Sequence, residues 1–252
     1  MAKRYELSDA QWARIAELLP GKQGDRGRTA KDNRIFVDGV LWVLRSGARW
    51  SDLPERYGKW KSVHKRFTRW AKAGVWERMF AVLTKDRRNE YLMLDTSLVR
   101  AHQQAATGNG GAKDQALGRS RGGLTTKIHL LADALGRPLR FILTPGQAHD
   151  LTQAHALLDG QTARQVIADR GYDSNGFRSL VADLGAKAVV PAKSSRITNI
   201  RHDAKAYRLR NSIERCFNKL KHFRRIATRY DRRDVHFLAA LHLAGALQWL
   251  PA

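Results

Sequence analysis

The sequence predicts an α+β protein in which a small all-helical module, residues 1–88, precedes a mixed five-stranded sheet with flanking helices, residues 89–252. Three observations carry this prediction. Apolar residues recur at helical spacing through the first ninety positions. After about Glu90 the texture changes to short apolar runs separated by turn residues. A long stretch from about Ala204 to Arg225 returns to helical spacing.

In the N-terminal module, Ser8 and Gln11 form a capping box ahead of Trp12, Ile15, Leu18 and Leu19, and Pro20-Gly21 ends that helix. Gly21 to Thr29 reads as a basic turn. Ile35, Phe36, Val40, Leu41, Val43 and Leu44 then give a second apolar-faced helix that stops near Gly47. Trp60, Val63, Phe67 and Trp70 share the apolar face of a third helix, while Lys61, Lys65, Arg66, Arg69 and Lys72 fill the rest. Val75 to Leu83 closes the module. The order of helix, turn and basic helix is compatible with a helix-turn-helix DNA reader, and also with a bundle whose basic face is merely solvated.

Five strands are expected: Tyr91 to Leu94, Lys127 to Ala132, Leu139 to Thr144, Val166 to Ala168 and Ala188 to Val190. With the helical patterns between them the order is β-β-β-α-β-α-β, followed by a long helix, which is the element order of an RNase H-like fold. From Gly108 to Gly123, six glycines with Asn109, Lys113, Arg119, Ser120 and Arg121 carry too little apolar surface to order a segment. The expectation there is a loop that settles on DNA, or a plain hairpin tip. Phe237 to Leu250 is apolar all round and should be a packed or dimer-forming helix. No internal repeat is visible.

The formal net charge is +23 in 252 residues, more than solubility requires, and such an excess attracts a polyanion. Nucleic acid is favoured over a membrane surface, because no apolar run reaches the ~18 residues of a span and the N-terminus lacks an apolar signal core. A soluble, cytoplasmic protein is expected. The single cysteine, Cys216, excludes an internal disulfide and a multi-cysteine zinc site. Any metal must therefore have oxygen or histidine ligands. No His-Glu-x-x-His pattern is present, and His236 and His242 on an apolar helix read as packing.

Treated as one helix, Ala204 to Arg225 places Tyr207, Arg210, Glu214 and Lys221 in a single polar stripe. Leu209, Ile213, Cys216, Phe217 and Leu220 form the adjoining apolar face. Asp95 follows Tyr91-Leu92-Met93-Leu94 and Asp169 follows Val166-Ile167-Ala168, so both carboxylates sit at or just past a strand end, where α/β folds place ligands. His149 and Asp150 either touch DNA or cap the next helix, with the cap preferred.

Tyr207, Arg210, Glu214 and Lys221 stand at the spacings of the Tyr-Arg-Glu-Lys signature of bacterial insertion-sequence transposases. Leu94-Asp95-Thr96 resembles that family's first aspartate motif, and Ala168-Asp169-Arg170-Gly171-Tyr172 its second. The resemblance extends to Trp50-Ser51-Asp52-Leu53-Pro54 and to Phe223 through Tyr230, and it points to the insertion-sequence-five group of DDE transposases. Residues 191–206 leave no room for the β-rich insertion that some relatives carry before the glutamate.

The resemblance implies a catalytic and metal-binding triad of Asp95, Asp169 and Glu214, using magnesium, with manganese as a substitute. Two hard ions held by carboxylates roughly 4 Å apart would suit in-line displacement at phosphorus. It implies that Tyr207, Arg210 and Lys221 hold phosphates and terminal nucleotides. Its substrates would be double-stranded DNA, both the inverted-repeat ends of the element and the target, with two subunits acting together in a nucleoid-associated bacterial protein. From Arg201 to Asp234, twelve Lys or Arg face four Asp or Glu, so flanking DNA is expected along Arg224, Arg225, Arg229, Arg232 and Arg233. In the helical module Lys61, Lys65 and Arg69 are the expected DNA contacts. Two rivals stay open: an RNase H-like nuclease or resolvase without strand transfer, and an inactive DNA-binding relic.

Overall fold

A computed structural model of the chain describes residues 5–25, 29–107, 115–198 and 200–251. Along the chain the helices are α1 (Asp9–Ile15), α2 (Asn33–Ser46), α3 (Trp60–Lys72) and α4 (Val75–Leu83). Then follow β1 (Tyr91–Ala101), β2 (Gly118–Ser120), β3 (Gly123–Ala132), β4 (Pro138–Pro145), α5 (Ala154–Leu158), β5 (Gln165–Ala168), α6 (Asn175–Asp183) and β6 (Lys187–Val189). The chain ends with α7 (Ala204–Tyr207), α8 (Asn211–Lys221), α9 (Arg224–Ala227) and α10 (Asp234–Ala246). It divides into two compact units, one of residues 1–85 with 220–252 and one of residues 86–219.

The helical unit starts as its sequence dictates. The Ser8 and Gln11 capping box is present in both directions, Asp32 caps α2 by accepting from the Ile35 N–H at 2.9 Å, and Gly47 ends α2 at φ 77°. Its core is an aromatic cluster: Phe36 meets Trp70 edge-on with centroids 5.0 Å apart, and Trp76 packs against Phe67 and Trp70. Two expectations are corrected here. Trp60, at the first position of α3, is exposed rather than part of the apolar face. Residues 47–59, folded into two 3-10 turns, separate α2 from the basic helix α3, whereas a helix-turn-helix uses ~3–4 residues. The segment 220–252 groups with this unit and not with the sheet, because α10 is apolar all round and buries that surface among α3 and α4, with His242 stacked 5.3 Å from Phe80.

The second unit is a mixed sheet with flanking helices. Strand β3 pairs antiparallel with β1 on one side and with β4 on the other. On its other edge β1 pairs parallel with β5, and β5 with β6, giving the order β4-β3-β1-β5-β6. Each of the five expected apolar runs lies in or overlaps one of these strands. The sixth strand, β2, was expected as loop: Gly118–Ser120 pairs with Gly123–Leu124–Thr125 through a tight turn that Gly123, at φ 89°, makes possible. Backbone pairing orders it, together with a small buried cluster of Leu117, Ala101 and Ala105 against which Leu124 packs. Residues 108–114 of the expected glycine-rich loop, Asn109 and Lys113 among them, lie outside the described residues.

Leu92 and Leu94 of β1, Val166 and Ala168 of β5, Leu157 of α5 and Val181 of α6 form one buried core. At ~25 cal/mol per Å² such burial is what holds the strand ends in place. The β3–β4 turn is tied by Asp133, which accepts from the backbone of Leu135 and Arg137 and from the Arg137 guanidinium. At its tip Gly136 has φ 75°, and a Cβ there would lie 2.7 Å from the Ser212 carbonyl oxygen. Glycine thus lets the start of α8 approach the sheet closely.

Candidate active site

Asp95 lies inside β1, not at its end, because pairing with β3 carries the strand on to Ala101. What ends at Leu94 is the parallel pairing with β5, whose last partners are Leu94 and Ala168. Asp95 and Asp169 are therefore the next residues on two adjacent strands, roughly 4.8 Å apart in backbone spacing. They stand at the carboxyl end of β5, where an α/β sheet opens to a ligand.

Asp95 is nearly buried. Its Oδ1 accepts from the Thr96 N–H at 2.9 Å and its Oδ2 from Arg210 at 3.0 Å. Burial pushes its carboxyl above the ordinary value; Arg210 and the Thr96 N–H oppose that, and the charge of Asp169 adds to it. The Oδ1 of Asp169 is buried without a hydrogen-bond partner. Gly171 is needed beside it, since a Cβ at that position would sit 2.9 Å from the same oxygen.

Arg210 links the sheet to the helix. One arm binds Asp95, the other binds Glu214 one turn further along, and the Asp95, Tyr207, Glu214 and Asp169 charges raise its pKa against the effect of burial. Tyr207, edge-on to His202, has its pKa raised by burial first and then by Asp169, Asp95 and Glu214. The structure thus brings together Asp95, Asp169, Tyr207, Arg210 and Glu214.

The expected single helix is interrupted. Arg208–Arg210 is a 3-10 turn between α7 and α8, and α8 stops at Lys221 before α9 begins. A 3-10 turn advances 120° per residue, not 100°, so three residues of it shift the phase by roughly 60° and bring Tyr207 into line with Arg210, and the stripe survives the interruption. Leu209, within that turn, is exposed, whereas Ile213, Cys216, Phe217 and Leu220 are buried as expected. Lys221 keeps its place seven residues from Glu214 on the same face of α8.

Other expectations sort by burial. Lys61, Lys65, Arg69 and Arg224 are exposed. Arg225 is turned inward: it donates to the Ala48 carbonyl at 3.0 Å and faces Asp231 at 3.7 Å. Arg229 is wholly buried, donates to the Asp231 carbonyl and lies over Phe237. Both are structural cations, which charge counting along the sequence could not reveal. His149 is a cap, accepting from the Leu151 N–H, while Asp150 is paired with Lys127 at 2.5 Å.

Two residues near the carboxylates were not singled out from the sequence. Tyr172 is fully buried with its hydroxyl unpartnered, and burial, followed by the Asp150, Asp95 and Asp169 charges, keeps it neutral. Asp173 anchors Arg178 and Arg196. Their signal was adjacency to Asp169 in Asp169-Arg170-Gly171-Tyr172-Asp173.

Among the described residues, no three His, Cys, Asp or Glu side chains converge closely enough to hold a metal ion. Two of the three candidate carboxylates are tied to Arg210. The donor set is nonetheless all oxygen, and Asp169 offers a buried oxygen that has no hydrogen-bond partner among the described residues, which suits a hard divalent cation. No helix among the described residues is long and apolar enough to cross a membrane.

Comparison with known proteins shows the family to which the chain belongs. The family described as "Transposase DDE domain" matches residues 88–249, and "Putative transposase of IS4/5 family" matches residues 7–80. The chain is 41% identical over 129 residues to a "Putative transposase for insertion sequence element IS6501" of Brucella ovis, covering 50% of this chain and 99% of that protein. It is 48% identical over 101 residues to the uncharacterized protein y4sN of Sinorhizobium fredii, covering 40% of this chain and 80% of that one. Among solved structures, the piggyBac transposase in its synaptic complex with hairpin DNA superposes with a TM-score of 0.54 at 10% identity, over 94% of this chain and 69% of that one. That likeness concerns the fold, and it fits an RNase H-like sheet.

Proposed function

Because the chain belongs to the DDE transposase family, whose domain spans residues 88–249, we propose that it binds the inverted-repeat ends of its own insertion sequence, cuts phosphodiester bonds there and joins the freed 3′-hydroxyls to target DNA. The observation that carries this reading is the side-by-side placement of Asp95 and Asp169, with Asp95 joined through Arg210 to Glu214. Such an arrangement can gather positive charge and a phosphate at one point.

Asp95, Asp169 and Glu214 are the residues that would hold divalent magnesium, or manganese in its place. When bound, such ions supply Lewis-acid stabilisation of the charge that develops in displacement at phosphorus. Arg210 offers a planar fork whose two arms already reach two carboxylates, and it can pass an arm to a DNA phosphate. Tyr207 lies beside it, and Tyr207 and Lys221 would help to hold the terminal nucleotide. Tyr172, neutral and buried, keeps a rigid wall behind the aspartates. In the helical unit, exposed Lys61, Lys65 and Arg69 of α3 provide phosphate contacts for the DNA end. Two copies act together, because two ends must be joined.

Strand transfer by the purified protein, on DNA carrying its own element's ends and with magnesium, tests the reading against Asp169→Ala and Glu214→Ala. Joined products from the wild type, absent in both variants, are expected. Cleavage without joining would identify a nuclease instead, and metal-independent binding without cutting a relic.

A further inference from the structure

Beyond the carboxylates, a cavity of about 230 Å³ is lined by Asp173, Asn175, Lys193, Ser195 and Arg196. It is built on a buried anion. Asp173 has no exposed side-chain surface and accepts from Arg178 Nε at 2.9 Å, Arg196 Nε at 2.9 Å, a second Arg196 nitrogen at 3.0 Å and the Lys193 N–H at 2.8 Å. Arg196 also donates to Asn175 Oδ1 at 2.9 Å. These bonds lock the chain after β6 to the chain after β5.

The cluster is not neutral. Two guanidiniums bind a single carboxylate, and Lys193, which gives that carboxylate only its backbone N–H, adds a third cationic side chain to the segment that lines the cavity. A guanidinium has five N–H donors, and Arg196 uses three of them in these bonds. The Lys193 ammonium forms no ion pair among the described residues. The cavity is therefore walled by pre-oriented donors with an excess of positive charge, the recognition chemistry of a phosphate group.

Its position is informative. β6 runs parallel to β5 with Ile167 opposite Val189, which puts residue 191 level with Asp169. Lys193 and Arg196 thus follow β6 at the same sheet end at which Asp169 follows β5. With strands ~4.8 Å apart, Asp95, Asp169 and the start of this segment form a row across the sheet edge. A DNA strand crossing the strand ends can touch all three.

Resting on the DNA-acting function proposed above, we infer that the Lys193–Arg196 cavity is a backbone-phosphate site, which grips a DNA strand a few nucleotides from the bond held at Asp95 and Asp169. Asp173 acts in it as a positioning residue that aims Arg196. A different cavity, lined by Asn89, Glu90, Thr162, Ala163 and Arg164, lies at the opposite ends of β1 and β5 and has no such cation pair.

Lys193 can be replaced without breaking the Asp173 cluster, because only its backbone N–H takes part. The test is fluorescence anisotropy with a labelled duplex of the element's end, over 50 to 300 mM salt, for wild type, Lys193→Gln, Lys193→Glu and a control, Lys187→Gln, at the far end of β6. The expected result is binding weakened about 3- to 10-fold by Lys193→Gln, and further by Lys193→Glu, with the log–log salt slope reduced by about 0.9, one phosphate contact. The control should match the wild type. Unchanged affinity and slope in both Lys193 variants, while the wild type binds and joins DNA, would overturn this site alone. A wild type that binds no DNA would overturn the function proposed above as well.

Discussion

Replacing Asp169 by Asn separates the stability of the fold from its chemistry. Asp95 and Asp169 sit on adjacent strands, so two carboxylates roughly 5 Å apart repel by about 3 kcal/mol at an effective dielectric of 20. Arg210, which both carboxylates influence, offsets part of that, and Asp169 is partly open to water. The net gain on neutralising Asp169 is about 1 kcal/mol, worth roughly 2–4 °C in melting temperature for a chain of this size. An amide keeps the shape of the carboxyl beside Gly171, so little packing is lost. Without divalent ions Asp169→Asn should melt above the wild type. With millimolar magnesium the order should invert, because only the wild type gains a ligand, and joining activity should disappear. Differential scanning fluorimetry with and without magnesium reads both effects. A variant that melts below the wild type in the absence of metal would refute the argument, since Asp169 would then be a structural residue whose interactions outweigh the repulsion.

Three further outcomes are expected. Arg210→Ala leaves the nearly buried Asp95 without its guanidinium, so urea unfolding should show a loss of about 2–3 kcal/mol, which magnesium partly restores. Gly171→Ala should displace the Asp169 carboxyl that a Cβ would meet at 2.9 Å, slowing joining about tenfold with little change in melting temperature. Stability should also fall in mild acid: burial holds His129 and His242 down at about 4, so the unfolded chain takes up their protons first. That contribution is complete above the unfolded value near 6.5 and is lost as pH falls toward 4, at about 1–2 kcal/mol per histidine by pH 5. Asp38, raised by burial to about 6, acts in the opposite sense, its penalty easing as pH falls below 6. The two histidines outweigh it, and His242→Leu should flatten the melting curve between pH 6.5 and 5.

The parts of the fold that were legible in the sequence are those governed by local chemistry. The Ser8 capping box, the Gly47 stop and the apolar runs of β1, β3, β4, β5 and β6 each depend on residues within a few positions of one another. What was not legible depends on partners far along the chain. β1 outruns its apolar stretch because β3 supplies pairing as far as Arg100. β2 forms in a glycine-rich segment because Gly123–Thr125 offers it backbone partners. Arg225 and Arg229 read as surface charge until Ala48, Asp231 and Phe237 surround them. For the candidate site, motif spacing picked out Asp95, Asp169, Arg210 and Glu214, but not that Arg210 would bridge two of the carboxylates, nor that a 3-10 turn would precede the helix that bears Glu214.

On the proposed function, that bridge would let a protein of net charge +23 keep a cluster of carboxylates at the point where DNA is to arrive. Excess cations elsewhere draw the polyanion in over distances set by screening, about 8–10 Å at physiological salt. Three carboxylates would repel a phosphate at close range, where screening no longer helps. Arg210 offsets one of the charges of Asp95 and Glu214 internally, so the approach surface is less anionic before the substrate comes. An incoming phosphate competes for the same guanidinium, and the carboxylates it releases become better ligands for divalent cations. DNA binding and ion binding at Asp95 and Glu214 are then positively coupled through one side chain, and by linkage each must tighten the other equally. Manganese titrated into wild type should bind more tightly with DNA present than without it, whereas in Arg210→Gln the two affinities should converge. Equal affinities in the wild type would show that the bridge is only a structural ion pair.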